Sequence, residues 1–406
     1  MKTPIGTTKP HDYSFDFLRV AAMLGVVLYH SAAAYSFLSP YWSIRDAPDM
    51  AGDMLRELLV VFSMPFFFFL AGYFVLPSLR RDGFWAFLWK KAKRLGVYWL
   101  FVVVVVVPFF NSKLTTVTGS YGEYWIQSLL RFQDARIAPL DSGQYNNMHF
   151  WFLSLLLYVY VLFGAVYTLA RTMRKERPAE SAGSKPFWAP VLGFGLLALV
   201  VDFLFLSFVP DADWIIVPNV LQVNVNQLPC MILYFGFGVY AASREWFAAD
   251  DPRMRLRYWL PVALLLAAAY LGIGGDFFRN IAASNALSTV YRLCFSFVRS
   301  FLLLTGLMAA LAAGRKYFSV KNPVLHELSD VSFEIYLVHL FVVVAFQALF
   351  ACIPALPAAG KIAAVFLLST GASYLLGKFA VHKHPKISAA VMIVLFLVMP
   401  LVFGPD

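Results

Sequence analysis

Eleven apolar stretches, each bounded by charge or by Gly and Pro, follow one another along this 406-residue chain with little between them. They fall at 14–38, 55–77, 95–112, 148–170, 187–209, 225–242, 258–275, 291–313, 329–352, 361–379 and 387–404. Each is close to the roughly 20 residues that an α-helix needs to cross bilayer hydrocarbon. In that medium every backbone N–H and C=O has to be satisfied within the segment, which a helix does by itself. Only 14% of the residues are charged and 60% are hydrophobic, against about a quarter charged and at most half apolar in soluble domains. A water-soluble globule is excluded. The expected fold is all-α: a polytopic integral membrane helical bundle of about 11 transmembrane helices, one membrane domain over 1–406. No internal repeat is evident, so an inverted-repeat transporter is not supported. The polar start, Met1 to Asp12, leads into a full-length span rather than a short signal core, and no cleavable signal is expected.

The net charge of +10 does not point to nucleic acid in such a chain. Lysine and arginine concentrate in short loops that stay in the cytoplasm. Alternate connections here carry Arg80, Arg81, Lys90, Lys91, Lys93 and Arg94; then Arg171 to Lys185; then Arg244 to Arg257; then Arg315, Lys316 and Lys321; then Lys378, Lys383 and Lys386. With Lys2 and Lys9, about 23 of the 33 basic residues lie on one side. The N-terminus is therefore expected in the cytoplasm, in a multi-pass protein of a bacterial inner membrane. The longest external loop, about 111–147, carries Tyr121, Tyr124 and Trp125 and has the length of a functional segment, an interfacial helix or a lid. Cys230, Cys294 and Cys352 lie far apart in apolar runs, so neither a disulfide framework nor a metal site is expected.

Ionisable groups inside membrane spans are costly and mark function by default. The spans hold Asp16, Arg19 and His30 in the first, Asp202 in the fifth, Arg299 in the eighth, and Glu334 and His339 in the ninth. Arg19 and His30 are eleven residues apart, which returns them to within roughly 20° of one helix face, about 16 Å apart along the axis. One stripe thus offers a cation near the cytoplasmic end and an acid–base group deeper in; a snorkelling arginine and a hydrogen-bonded interior histidine fit the same pattern. Asp16, one turn before Arg19, can pair with it. Asp202 and Arg299 read as a neutralising ion pair of the scaffold.

Further along, Met64-Pro65-Phe66-Phe67-Phe68-Phe69-Leu70-Ala71-Gly72-Tyr73 combines a helix-kinking proline with a glycine that permits close packing. Lys90-Lys91-Ala92-Lys93-Arg94 opens the third span, where a cationic cluster sets topology but also suits phosphate. His149-Phe150-Trp151-Phe152-Leu153 starts the fourth span at its outer end. In Ser332-Phe333-Glu334-Ile335-Tyr336-Leu337-Val338-His339, Ser332, Tyr336 and His339 share a face. Gly236-x-Gly238 lies within a helix and reads as packing. No phosphate-binding loop, dinucleotide fingerprint or nucleophile elbow is present.

Taken in order, these motifs resemble the membrane acyltransferase-3 family: Asp16-Phe17-Leu18-Arg19 followed by His30, the Met64–Tyr73 block, the basic pair Lys91 and Arg94, His149–Leu153 and Ser332–His339. Gln227-Leu228-Pro229 and Ile335-Tyr336-Leu337-Val338-His339 look most like the glucan-biosynthesis protein C branch, which adds succinyl groups to periplasmic glucans. Lys91 stands where the family usually has an arginine, and the span at 387–404 is additional to the family's usual ten. The resemblance implies O-acyl transfer, acetyl or succinyl, from cytoplasmic acyl-CoA to a saccharide hydroxyl. Acyl-CoA then serves as co-substrate, with no permanently bound cofactor. In this scheme His30 is the general base and Arg19 orients the donor. Asp16, His339, Tyr336 and Glu334 support them, and Arg19, Lys91, Lys93 and Arg94 hold the CoA. His149 and Trp151 meet the acceptor. Expected partners are acyl-CoA, a glycan, membrane lipid and a possible second copy of the chain, with no nucleic acid. The competing expectation is a saccharide or lipid transporter using the same polar path.

Overall fold

A computed structural model describes residues 12–39, 42–108, 121–130, 134–139, 147–173, 187–209, 213–246, 252–273 and 288–383. The eleventh expected span, 387–404, lies outside these residues, as do Arg174 to Lys185 and Lys386. Each of the other ten apolar stretches falls on helical structure. In chain order the helices are α1 (Ser14–Ser31), α2 (Met50–Asp82), α3 (Phe84–Lys91), α4 (Val97–Phe101), α5 (Tyr121–Leu129), α6 (Trp151–Met173) and α7 (Trp188–Phe208). Then come α8 (Gln227–Ser243), α9 (Leu256–Ile273), α10 (Ser288–Tyr317), α11 (Pro323–Asp330), α12 (Ser332–Ala351) and α13 (Ala358–Leu375). Among the described residues, seven helices are long and apolar enough to cross a membrane. The chain is a multi-pass membrane protein.

Helix ends follow local chemistry. The Asp49 carboxylate caps α2 by accepting from the Ala51 N–H at 2.7 Å, and Gly83, at φ 74°, ends it. Between them α2 runs unbroken for 33 residues through Pro65 and Pro77. The third expected span is longer than its apolar run. α3 continues into α4 through a π-helical turn, Ala92–Gly96, and a second, Val102–Val106, follows. Such turns add a residue to the helical count and re-aim the side chains around them.

α2 packs along α8 and against α1. Gly72 and Gly238 make the α2–α8 contact possible. A Cβ on Gly72 would lie 2.0 Å from the Phe235 carbonyl oxygen, and one on Gly238 would lie 2.1 Å from that of Phe69. Gly236 has no neighbour within 4 Å, so only the second glycine of that pair serves the interface. α1 also packs on α10, α12 and α13, which places its polar stripe inside the bundle.

The all-α expectation needs one correction. Arg136–Pro139 (β1), Asp213–Val217 (β2) and Leu221–Asn224 (β3) form a three-stranded antiparallel sheet in the order β1-β2-β3. Ile137 faces Ile215, and Ile215 faces Val223. The connection between β2 and β3 turns at Asn219, φ 62°, a conformation that asparagine tolerates. The sheet ties the long loop between the third and fourth spans to the loop before α8. Asn219 Nδ2 donates to the Ser128 carbonyl at 2.7 Å, and Gln222 Oε1 accepts from the Asn147 N–H at 2.6 Å. The stretch expected as a loop or lid therefore contains α5 and β1, and its end is held where the chain enters α6.

Candidate active site

The residues singled out on α1 meet different partners at its two ends. At the start of α1, Arg19 Nη1 donates to the Ser329 hydroxyl at 2.6 Å and pairs with Asp16 at 3.3 Å. Asp16, 2% exposed, also accepts from Ser329 at 3.0 Å and lies 2.9 Å from His326 Nδ1. The expected Asp16–Arg19 pair is present. Its fastening to α11 through Ser329 and His326 was not anticipated, because those residues precede the ninth span and only the fold brings them under α1. The hydrogen bonds of Arg19 to these residues are made through Nη1.

Three other basic residues were grouped with Arg19, and the structure divides them. Arg94 and Tyr160 lie within electrostatic reach of Arg19. Lys91 Nζ sits 4.6 Å over the Tyr160 ring, and the Arg94 guanidinium sits 5.2 Å over Phe333. Arg19, Lys91, Arg94 and Tyr160 thus converge from α1, α3, the π-helical turn and α6. Lys93 is exposed and lies 4.9 Å over the ring of the exposed Trp89; it does not join them.

At the other end of α1 the histidines converge. His30 Nδ1 lies 3.1 Å from His339 Nε2, and His339 Nδ1 lies 2.6 Å from the Tyr336 carbonyl oxygen. A carbonyl only accepts, so His339 carries a proton on Nδ1, and with both rings neutral its Nε2 accepts from His30 Nδ1–H. That tautomer leaves His30 Nε2 with a free lone pair. His30 is half-buried. The Trp42 ring stacks on it at 5.6 Å and 19°, and Trp42 Nε1 donates to Gln347 Oε1 at 2.8 Å. Gln347 Nε2 in turn donates to the His30 carbonyl at 2.9 Å. The buried Lys361, 2.5 Å from Asp46, fastens the loop that carries Trp42.

His149 was expected at the outer surface beside Trp151, meeting the acceptor. Instead it is 6% exposed, with ring centroids 4.9 Å from His339 and 6.4 Å from His30. Its carbonyl accepts from the Tyr336 hydroxyl. Gln222, by holding Asn147, and Met148, at φ 51°, turn the chain inward at this point. Trp151 turns the other way and packs edge-on against Trp214 of β2 at 5.8 Å. The expected pair, two residues apart, therefore faces different neighbours. Glu334 was expected beside a basic group of the site, but its described partner is His382, at 3.2 Å. Asp202 and Arg299 pair as expected, at 2.7 and 3.2 Å.

Trp42, Gln347 and Arg56 escaped the sequence reading. Gln347 left a visible signal, a polar side chain inside an apolar run. Arg56 falls within the second expected span but was not singled out among the ionisable groups. Trp42 left none, because its place depends on how the loop after α1 folds back. Among the described residues no group of three or more His, Cys, Asp or Glu is arranged to hold a metal ion.

This arrangement is a hydrogen-bonded histidine pair at one end of a helix and a cluster of cations at the other, in a bundle of membrane-spanning helices. The family model for the acyltransferase domain of the acyltransferase-3 family matches residues 12–378, and the chain belongs to that family of membrane acyltransferases. Comparison with curated proteins and with solved structures gives no match.

Proposed function

We propose that this protein transfers an acyl group from acyl-CoA, held at the Arg19 end, to a saccharide hydroxyl at the His30 end, with His30 as general base. The observation that carries this reading is the His30–His339 hydrogen bond, since it leaves the Nε2 lone pair of His30 unspent. The acceptor oxygen attacks the thioester carbonyl carbon as His30 Nε2 takes its proton. The tetrahedral intermediate then collapses, expelling the CoA thiolate, which recovers that proton and leaves an ester and a free thiol. General-base assistance of this kind typically contributes about 10²–10⁴-fold. Arg19, with Lys91 and Arg94, holds the phosphates and pantetheine arm of the donor; Lys93, at the mouth, adds only long-range attraction. Asp16, Ser329 and His326 hold Arg19 in place, and His339 with Tyr336 fixes the imidazole. The acceptor is a periplasmic glucan, on the strength of the sequence motifs shared with the glucan-modifying branch, and the donor side is the cytoplasm of a bacterial inner membrane.

The test is thiol release by the purified protein from acetyl-CoA or succinyl-CoA in the presence of glucan. His30→Ala is expected to lower kcat by about 10²-fold or more at equal folded protein. Undiminished release by that variant ends the general-base assignment. If the native protein consumes no thioester yet carries glucan into vesicles, transport replaces acyl transfer.

A further inference from the structure

Arg299, Lys361 and Arg56 are cations held within the bundle. Arg299 grips Asp202 through Nε and Nη2, and Lys361 meets Asp46. Arg56, on the second turn of α2 and 5% exposed, is different. Nη1 donates to the Tyr29 carbonyl at 3.3 Å, Nη2 donates to the Tyr29 hydroxyl at 2.8 Å, and the guanidinium lies 4.1 Å over the Tyr29 ring. Its Nε is buried with no hydrogen-bond partner. Among the described residues no carboxylate pairs with it. Asp53, one turn earlier, accepts from Ser36 at 2.6 Å, and Glu57 meets the Tyr270 hydroxyl at 3.3 Å.

A guanidinium kept from water without a counter-charge is costly, and an aromatic face with two neutral oxygens offsets only part of that cost. The free Nε–H and the second Nη2 hydrogen lie on one edge of the guanidinium fork, the edge that receives a carboxylate in bidentate fashion and that Arg299 turns to Asp202. The position is specific. Tyr29 precedes His30 in α1, and its ring stands edge-on to the His30 ring at 5.2 Å.

We infer that Arg56 is an anion subsite beside His30 that takes a carboxylate on the reacting molecule, carried either by the transferred acyl group or by an acidic sugar. The roles given to the two carriers rest on the acyl-transfer reading; the binding of a carboxylate at Arg56 does not.

Two measurements separate these levels. In the first, thermal unfolding of the detergent-solubilised protein is followed at matched ionic strength with succinate, glucuronate, and the neutral succinamide and glucose. Stabilisation by succinate alone assigns the carboxylate to the acyl group, and stabilisation by glucuronate alone assigns it to the acceptor. In either case Arg56→Gln, which keeps a donor for Tyr29, is expected to abolish the effect. Equal stabilisation by the neutral compounds, or by neither anion, overturns the subsite, and the ligand comparison holds even if the variant fails to fold. In the second, turnover of succinyl-CoA is compared with that of butyryl-CoA, which has the same chain length without the charge. An acyl-group carboxylate predicts a preference on the order of tenfold or more in the native protein, lost in Arg56→Gln and partly kept in Arg56→Lys. Where succinate is the stabilising anion, loss of both donors in equal measure shows a structural arginine and refutes the subsite. A protein that binds succinate through Arg56 yet consumes neither thioester refutes acyl transfer and leaves the anion site standing.

Discussion

In the proposed reaction His30 depends on its neighbour His339. His339 Nδ1 is committed to the Tyr336 carbonyl, so its other nitrogen has to accept, and this dictates which nitrogen of His30 is basic. Replacing His339 by Phe removes the acceptor while keeping a ring of comparable size. We expect kcat to fall about 10–100-fold, the scale on which loss of an orienting partner is felt, with donor KM unchanged; an unaltered kcat in steady-state assays refutes the tautomer argument. Arg19→Lys keeps the charge but loses the planar fork that holds Asp16 and Ser329 and that the proposed mechanism turns to a donor phosphate. Its expected signature is a raised donor KM with kcat preserved, and an unchanged KM makes Arg19 a structural anchor. The alignment of Arg19 and His30 was legible because both sit on one helix, where spacing alone sets the face. The inward position of His149 was not, since it depends on Gln222 from a distant strand and on a single left-handed residue, Met148. Arg56, one residue inside the second expected span, carried no motif that set it apart.

Among the elements, the contact of α2 with α8 is the least forgiving. Valine at position 238 puts its side chain where the Phe69 carbonyl stands, 2.1 Å from the Cβ position. Neither backbone can give way without separating the helices, so Gly238→Val is expected to cost about 3 kcal/mol or more. Gly236→Ala, two residues away with nothing within 4 Å, is expected to stay within about 0.5 kcal/mol of the native protein. Thermal unfolding in detergent compares the two, and equal behaviour refutes the close-packing account. The helices could be read from hydropathy, because a bilayer demands long apolar runs, and ten of the eleven segments land on helical structure. The sheet could not. Its strands are four or five residues long, β1 ends in proline, and β1 pairs with a segment more than seventy positions away. Local pattern carries no record of such pairing, which only long-range closure supplies.

For the whole molecule, the distribution of lysine and arginine predicts that the Cys352 end of α12 lies on the external side of the membrane. Cys352 is exposed and follows α12 directly, whereas Cys230 is half-buried. With Cys230 and Cys294 replaced by Ser, a membrane-impermeant maleimide is expected to label Cys352 in intact cells; labelling that appears only after permeabilisation inverts the topology. The same orientation gives meaning to the interval along α1. Arg19 and His30 stand about 16 Å apart along the helix axis, and nothing compresses a rigid helix. For the donor proposed above the bundle would then be a ruler: a thioester clipped to its first few atoms, such as acyl-N-acetylcysteamine, is expected to reach the imidazole without spanning the gauge, and its turnover should be as slow with Lys at position 19 as with Arg.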